Sequence, residues 1–446
     1  MQAAKKGMDE RDLVATLATR IEQSRRTVQD ITWFVFEGDI FVIACGDGYL
    51  LFAPLQGVVL LLTKPGLAAL LLHEDGTLSQ ALTTSATEIP PTLLKKLDTQ
   101  GTPPRSPVID SAQFAPTKLT LSPTAACQLK CEYCYIKGGD RPRHMPWSIA
   151  EAAILFVVNN CSAAGQSTMG LMFHGQGEPT ANWSLFRESV LFTDTACRAR
   201  GIEPEFSLVT NGILSESQVC FLAEHRFSVS LSLDSIRESN DRQRPMRDGH
   251  STFDRVTSTM RWLEAHGLNY GIRSTVTPQT VKEVSEFVTF IGSHFKCKSI
   301  QFEPLCSAGR AEHCAALEHD SLTQFADNFP DADVAALANG ITVEYSAARL
   351  KQTRASFCGA HGADLNFIVS TEGLVSSCNE VLESSDPRAD VFIYGHYDES
   401  LRRFCFDSER LARLLGLDVK GIDRCRDCFL KWHCAGDCLA KAGIGT

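Results

Sequence analysis

The sequence predicts an α/β fold: a partial (βα)6 TIM-like barrel, preceded by a small α+β domain and followed by a Cys-rich domain. Three observations carry this expectation. Between Lys118 and Leu305, six short apolar runs alternate with longer amphipathic ones. Ahead of them, residues 1–105 show the alternation of short antiparallel strands. Beyond about residue 310 the periodicity weakens and cysteines accumulate, as in a domain built around metal more than around an apolar core. The expected domains are 1–105, 106–310 and 311–446.

Taken in order, Arg11 to Gln23 has apolar residues at three- and four-residue steps and reads as a helix. WFVFEGDIFVIACGDGYLLFAP carries the Gly-Asp and Asp-Gly punctuation of an antiparallel meander, and GVVLLLTKPGLAALLL reads as a strand entering a helix. The Pro-rich TQGTPPRSPVID is the expected exposed connection. The six strands of the central domain are KLTLS, MGLMFHG, FSLVT, SVSLS, YGIRSTV and SIQFEP. Helical patterns such as SIAEAAILFVVNN, STFDRVTSTMRWLEAHG and VKEVSEFVTFIGSHF lie between them. Chemistry is expected in the loops at the carboxyl ends of the strands.

The 446 residues are 44% apolar with a formal net charge of -10, which argues against a dedicated nucleic-acid binder. MQAAKKGMDERDLVATLATRIEQ lacks the continuous apolar region of a secretory signal. The most apolar stretch is cut by Pro54, Gln56, Lys64 and Pro65, so no membrane span is expected and the placement is cytoplasmic. There, 17 cysteines point to metal or redox chemistry and not to a disulfide framework.

CQLKCEYCY holds Cys127, Cys131 and Cys134 at i, i+4, i+7, which by itself also suits a helix burying a thiol-rich face. Gln128, Lys130 and Glu132 offer little companion apolar surface, and Gly138 and Gly139 follow, so a loop around an inorganic centre is the better reading. Structural zinc wants a fourth ligand, and none follows before His144. Three thiolates suit a 4Fe-4S cluster with one iron left open.

CxxxCxxC after the first strand of a βα series resembles the radical S-adenosylmethionine (SAM) enzymes. HGQGEPT closes the second strand where that family has Gly-Gly-Glu-Pro; the resemblance implies that Gly175, Gly177 and Glu178 serve the methionyl end of SAM. SLSLDSIRESNDRQR resembles the family's Ser-x-Asp-Gly segment and downstream arginine, which implies SAM contacts from Ser232 and Arg244. Ser235 stands where Gly is usual, so a different local turn is expected; the bland reading of Arg244 is a solvated charge among Arg237, Arg242 and Arg247. Tyr133 maps onto the aromatic near the adenine, or simply packs. The implied chemistry is reductive cleavage of SAM to a 5'-deoxyadenosyl radical that abstracts hydrogen from an unactivated carbon, with flavodoxin or ferredoxin as electron donor.

Cys358, Gly-x4-Cys at Cys378, then CRDCFLKWHCAGDC with Cys425, Cys428, Cys434 and Cys438 resembles the SPASM extension, which holds two auxiliary 4Fe-4S clusters; a zinc ribbon is the generic alternative. The resemblance implies Cys358, Cys378 and Cys438 for the first cluster and Cys425, Cys428 and Cys434 for the second, each one ligand short. The family's last cysteine is missing, which leaves truncation, an open cluster, or substitution by another thiol, Cys405 being nearest by sequence. Cys45, Cys161, Cys197, Cys220, Cys297, Cys306 and Cys314 are expected as buried apolar residues. Asn379 stands where sulfatase-maturing relatives have an Asp base, which disfavours that activity; Glu380 is an alternative base. DGYLLFAPLQGVVLLLTKPGLAAL resembles the winged-helix-like domain that binds leader peptides by strand addition, with a plain structural cap as the alternative. The expected function is thus a maturase of a ribosomally made (RiPP) precursor peptide with a leader sequence. The alternatives are a protein maturase of sulfatase or quinone-dehydrogenase type, and a non-catalytic iron-sulfur or zinc protein.

Overall fold

The computed structural model describes residues 25–28, 31–36, 39–64, 67, 90–99, 101–104, 110–306, 308–313, 319–350 and 352–442. The expected helix Arg11 to Gln23, most of the segment after Leu62, part of the Pro-rich connection and Cys314 lie outside them. The chain forms two units. One comprises 1–106, 347–357 and 418–436; the other comprises 107–346, 358–417 and 437–446.

The first unit is built on an antiparallel meander in chain order: β1 (Arg25–Val28), β2 (Ile31–Phe36), β3 (Ile40–Cys45), β4 (Gly48–Ala53) and β5 (Val58–Leu62). Strict alternation along β5 buries Val58 and Leu62 and exposes Val59 and Leu61. Ile40, Val42, Leu51, Ala53 and Leu67 complete a small core with Leu97 of α1 (Pro91–Leu97). Cys45, expected to be buried, is exposed, because it sits at the end of β3 opposite Gly48 in the tight hairpin.

In the second unit, the six expected strands are β6 (Lys118–Leu121), β7 (Thr168–Phe173), β8 (Glu203–Thr210), β9 (Ser228–Ser232), β10 (Tyr270–Val276) and β11 (Ser299–Pro304). They pair parallel in chain order. The sheet stays open, since β11 pairs outward with β12 (Thr342–Tyr345) and β6 with β13 (Ile368–Val369). Three antiparallel strands follow β13: β14 (Leu374–Ser376), β15 (Ile393–Asp398) and β16 (Arg403–Phe406). The crossovers include α2 (Trp147–Ala163), α3 (Trp183–Arg198), α4 (Glu216–Glu224), α5 (Arg237–Gln243), α6 (Thr252–Ala265) and α7 (Val284–His294). Their apolar stripes, such as Ala150, Ala153, Ile154 and Val157 on α2, pack into one core with the buried residues of the strands. This places the strand-to-helix loops, where the motifs lie, at the carboxyl end of the sheet.

The expected third domain at 311–446 is not a separate body. Its strands β12 to β16 extend the barrel sheet, while 347–357 and 418–436 fold with the meander. Polar anchors explain the second choice. Asp39, in the left-handed turn between β2 and β3, accepts from Lys431 Nζ (2.6 Å) and from the indole of buried Trp432 (2.8 Å). Trp33 Nε1 donates to the Asp427 carbonyl at 2.8 Å, and Arg354 Nε to that of His433 at 2.8 Å.

Removing the Asp39 carboxylate leaves the buried Trp432 indole N–H without an acceptor and the Lys431 ammonium with only the Arg426 carbonyl (3.0 Å). Asp39→Ala is expected to destabilise this unit by about 2–4 kcal/mol, whereas Asp39→Asn, which keeps an acceptor and tolerates the turn, costs about 1 kcal/mol. Chemical denaturation of the two variants measures the difference.

Candidate functional site

The loop after β6 has no ladder of its own, so its backbone is satisfied by its neighbours. Lys130 N–H donates to the Pro245 carbonyl (2.9 Å), Glu132 N–H to that of Gln243 (3.0 Å), and Glu178 N–H to that of Ala126 (2.8 Å). The Gln128 carbonyl accepts from Arg247 N–H at 2.9 Å. The loop is not a helix burying one face, despite its spacing, and all three thiols are half-buried. Burial pushes the Cys131 thiol up to about 12, opposed by the Arg244 charge, and raises Cys127 as well, with Glu178 adding to it. Such thiols are protonated without a cation and become thiolates when one is bound. Two N–H donors already point at sulfur: Asn211 Nδ2 to Cys127 Sγ (3.7 Å) and Gly138 N to Cys134 Sγ (3.3 Å). Hydrogen bonds of this kind stabilise cluster thiolates.

The Gly-rich turn after β7 packs on the start of this loop. A Cβ on Gly177 would meet the Ala126 carbonyl oxygen at 2.3 Å and the Ala125 carbonyl carbon at 2.6 Å. The glycine is thus required by the loop itself. Glu178 is buried, and its carboxylate accepts from Thr180 N (3.2 Å), Thr180 Oγ1 (2.7 Å), Thr210 Oγ1 (2.8 Å) and Asn211 N (2.7 Å). Its side chain braces the ends of β7 and β8. Gln176 uses Oε1 on Thr371, while its buried Nε2 has no partner.

Half-buried Tyr133 joins buried Asp234 and Arg244 in one group: the phenol donates to Asp234 (2.5 Å) and accepts from Arg244 Nη1 (2.5 Å). Arg244 is 6% exposed, so it is no solvated surface charge, and its buried Nε has no partner. Ser232 ends β9, half-buried. Ser235, in the place of a usual glycine, needs no positive φ and instead donates to Glu283 at 2.5 Å. Next to this group is a cavity of about 290 Å³ lined by Glu132, Tyr133, Arg242, Gln243, Thr277, Gln279 and Leu305. Gln243 donates to Thr277 but leaves its buried Oε1 unpartnered. Orphaned buried polar atoms around a cavity are the mark of a site shaped for a polar ligand.

Sequence reasoning passed over Asp234, Asn211 and His174, although all three stand at carboxyl ends of strands, where the fold gathers its chemistry. Burial and the Arg273 charge lower His174 to about 3, with the Asn379 amide acting in the opposite direction. Glu380, the alternative base, is held by Arg388 at 3.4 Å.

The C-terminal cysteines divide between the units. Cys358, Cys378 and Cys438 fall in the barrel unit, where burial raises Cys378 and pushes Cys438 up to about 12, with the charges of Glu380 and Cys358 adding to both. Cys425, Cys428 and Cys434 fall in the meander unit. Left-handed backbone at Ala435, Gly436 and Asp437 turns the chain between the last two cysteines. Cys161, Cys197 and Cys297 are buried as expected, while Cys220 and Cys306 are half-buried. Cys405 lies on β16 opposite His396, its sulfur, a His396 nitrogen and an Asp398 oxygen within 4.8 Å of one another.

Residues 121–291 match the model of the Radical SAM superfamily. A cysteine-type anaerobic sulfatase-maturating enzyme of Clostridium perfringens is 25% identical over 350 residues, spanning 72% of this chain and 89% of that protein. A serine-type enzyme of Klebsiella aerogenes is 26% identical over 210 residues, 47% of this chain and 50% of that protein. Among solved structures, anSMEcpe with bound AdoMet superposes with a TM-score of 0.58 at 22% identity, over 72% of this chain and 84% of the other. No helix among the described residues is long and apolar enough to cross a membrane.

Two outcomes are expected. Gly177→Ala places a methyl against backbone that cannot yield, so amide exchange in residues 125–134 should rise sharply by mass spectrometry. For His174, the folded pKa lies below the ordinary 6.5, so the unfolded chain binds the extra proton and stability falls as pH drops from about 6.5 towards 3. His174→Gln should flatten that part of the unfolding-versus-pH curve.

Proposed function

We propose that this chain, a radical SAM enzyme with its radical SAM domain at residues 121–291, modifies a peptide bearing a leader sequence, by a cross-link or another C–H functionalisation. In this reading Cys127, Cys131 and Cys134 hold a 4Fe-4S cluster with one iron open, and the fit rests on the raised thiols of Cys127 and Cys131, which await a cation, and on N–H donors already aimed at Cys127 and Cys134. Bound there, cluster and SAM together supply a 5'-deoxyadenosyl radical for hydrogen abstraction. Arg244, with its unpartnered Nε, meets the SAM carboxylate, and Tyr133 borders the cavity that takes the adenine. Gly175 and Gly177 bring the backbone of the β7 turn close, while Glu178 acts by bracing that turn. Cys358, Cys378 and Cys438 hold one auxiliary cluster and Cys425, Cys428 and Cys434 a second.

The observation that carries the peptide substrate is β5. Among the described strands it pairs only with β4, and it presents Val59 (56% exposed) and Leu61 (77% exposed) on its outer face. An extended peptide adds to such an edge by main-chain hydrogen bonds, with apolar side chains seated on that face. A second reading, maturation of a sulfatase, is favoured by the 25% identity to a sulfatase-maturating enzyme, and is opposed by Asn379, an amide without basicity after Cys378.

Reconstituted protein under reducing, oxygen-free conditions is expected to form 5'-deoxyadenosine from SAM, and Cys131→Ala to lose this while staying folded. A precursor peptide encoded beside the gene should be bound with protection of β5 amides and emerge with altered mass. Absence of SAM cleavage by cluster-loaded protein overturns the enzymatic assignment of these residues; modification of a sulfatase peptide instead selects the second reading.

A further inference from the structure

The cysteine loop is gripped by two arginines that the site assignments leave unused. Arg247, three residues past Arg244, donates from Nε to the Cys127 carbonyl (3.2 Å) and from Nη2 to that of Gly138 (3.1 Å). Arg310, in the loop after β11, donates from Nη1 to the Cys131 carbonyl (3.1 Å) and from Nη2 to that of Gly138 (2.9 Å), and its backbone N–H reaches the Cys134 carbonyl at 3.0 Å. Asp140 ties the two together, accepting from Arg247 at 2.9 Å and from Arg310 at 2.7 and 3.2 Å. Gly309 permits the approach: its φ is +62°, and a Cβ would lie 2.2 Å from the Tyr135 carbonyl oxygen. The carbonyls of all three cysteines are thereby held by the two arginines, and the Gly138 carbonyl is gripped by both.

The topology gives this grip a particular consequence. β6 and β11 are the first and sixth barrel strands, and no hydrogen-bonded pairing joins them. Arg310 reaches from the loop of the sixth to the loop of the first. Its planar fork binds two carbonyls and a carboxylate at once, which an ammonium on a flexible stem does not reproduce. The geometry points to Arg310, with Arg247 and Asp140, as positioning residues that latch the first and last loops of the open barrel and set the reduction potential of the cluster held by the cysteine loop. Two guanidinium charges against one carboxylate leave net positive charge beside the loop, which favours the electron-rich state of a bound cluster. This inference rests on the cluster assignment proposed above.

The test compares Arg310→Lys, Arg310→Ala and Asp140→Asn with the exposed Arg198→Ala as a control, read in two ways. In protein free of metal, amide exchange across residues 127–140 should quicken in all three variants and stay unchanged in the control. In reconstituted protein matched for iron content, the midpoint potential of the SAM-responsive cluster should move negative in Arg310→Ala and by less in Arg310→Lys, which keeps charge but not the fork. Unchanged exchange and potential in Arg310→Lys and Asp140→Asn overturn the latch, whether or not Arg310→Ala folds. Unchanged potential with faster exchange reduces it to a structural brace and overturns the redox role. If the wild-type loop takes up no iron, the cluster assignment fails instead, and exchange still reads the latch.

Discussion

An irregular loop with three half-buried thiols satisfies little of its own backbone, and much of the second unit answers that constraint. The N–H groups of Lys130 and Glu132 find carbonyls at and just beyond the end of α5, the Ala126 carbonyl finds Glu178 N–H, and the cysteine carbonyls find Arg247 and Arg310. Every one of these partners sits at the carboxyl end of the sheet, so the strands' parallel pairing is what delivers them to one place. The motifs spread over nearly two hundred residues are separate in the chain only because each belongs to a different βα unit.

The same constraint separates side chains whose polar atoms are engaged within the protein from those with one to spare. Glu178 looks like a ligand contact by its motif, and four donors hold its carboxylate, three of them on Oε1, so that it also braces the ends of β7 and β8. Arg244, singled out by its motif although similar charges stand nearby in the sequence, is buried against Tyr133 and Asp234 with a donor to spare. Burial is what gives the difference weight, because an unsatisfied buried donor costs free energy that a polar partner would recover.

Much of this was legible. The alternation of apolar runs located all six barrel strands because strand and helix periods differ and the core is large. The cysteine spacing and its polar neighbours singled out the segment after β6 as a loop, and a loop it is, not the helix that the same spacing also suits. Asp234, Asn211 and His174 were not legible, since each carries its meaning only through neighbours from other strands. The single C-terminal domain expected from weakened periodicity was also misjudged. Polar anchors such as Asp39 with Lys431 and Trp432 leave no trace in hydrophobic pattern, and they assign 418–436 to the meander.

The sequence by itself determined the element types, the order of the barrel strands and the loop that carries three thiols, because local periodicity, turn residues and ligand spacing are properties of neighbouring residues. Tertiary structure decided how the C-terminal cysteines divide between two units, which charges are buried and which arginines grip the cysteine loop. Those outcomes depend on contacts between residues as far apart as Cys131 and Arg310, whose proximity follows from sheet topology and close packing and from nothing in either residue's own stretch of chain.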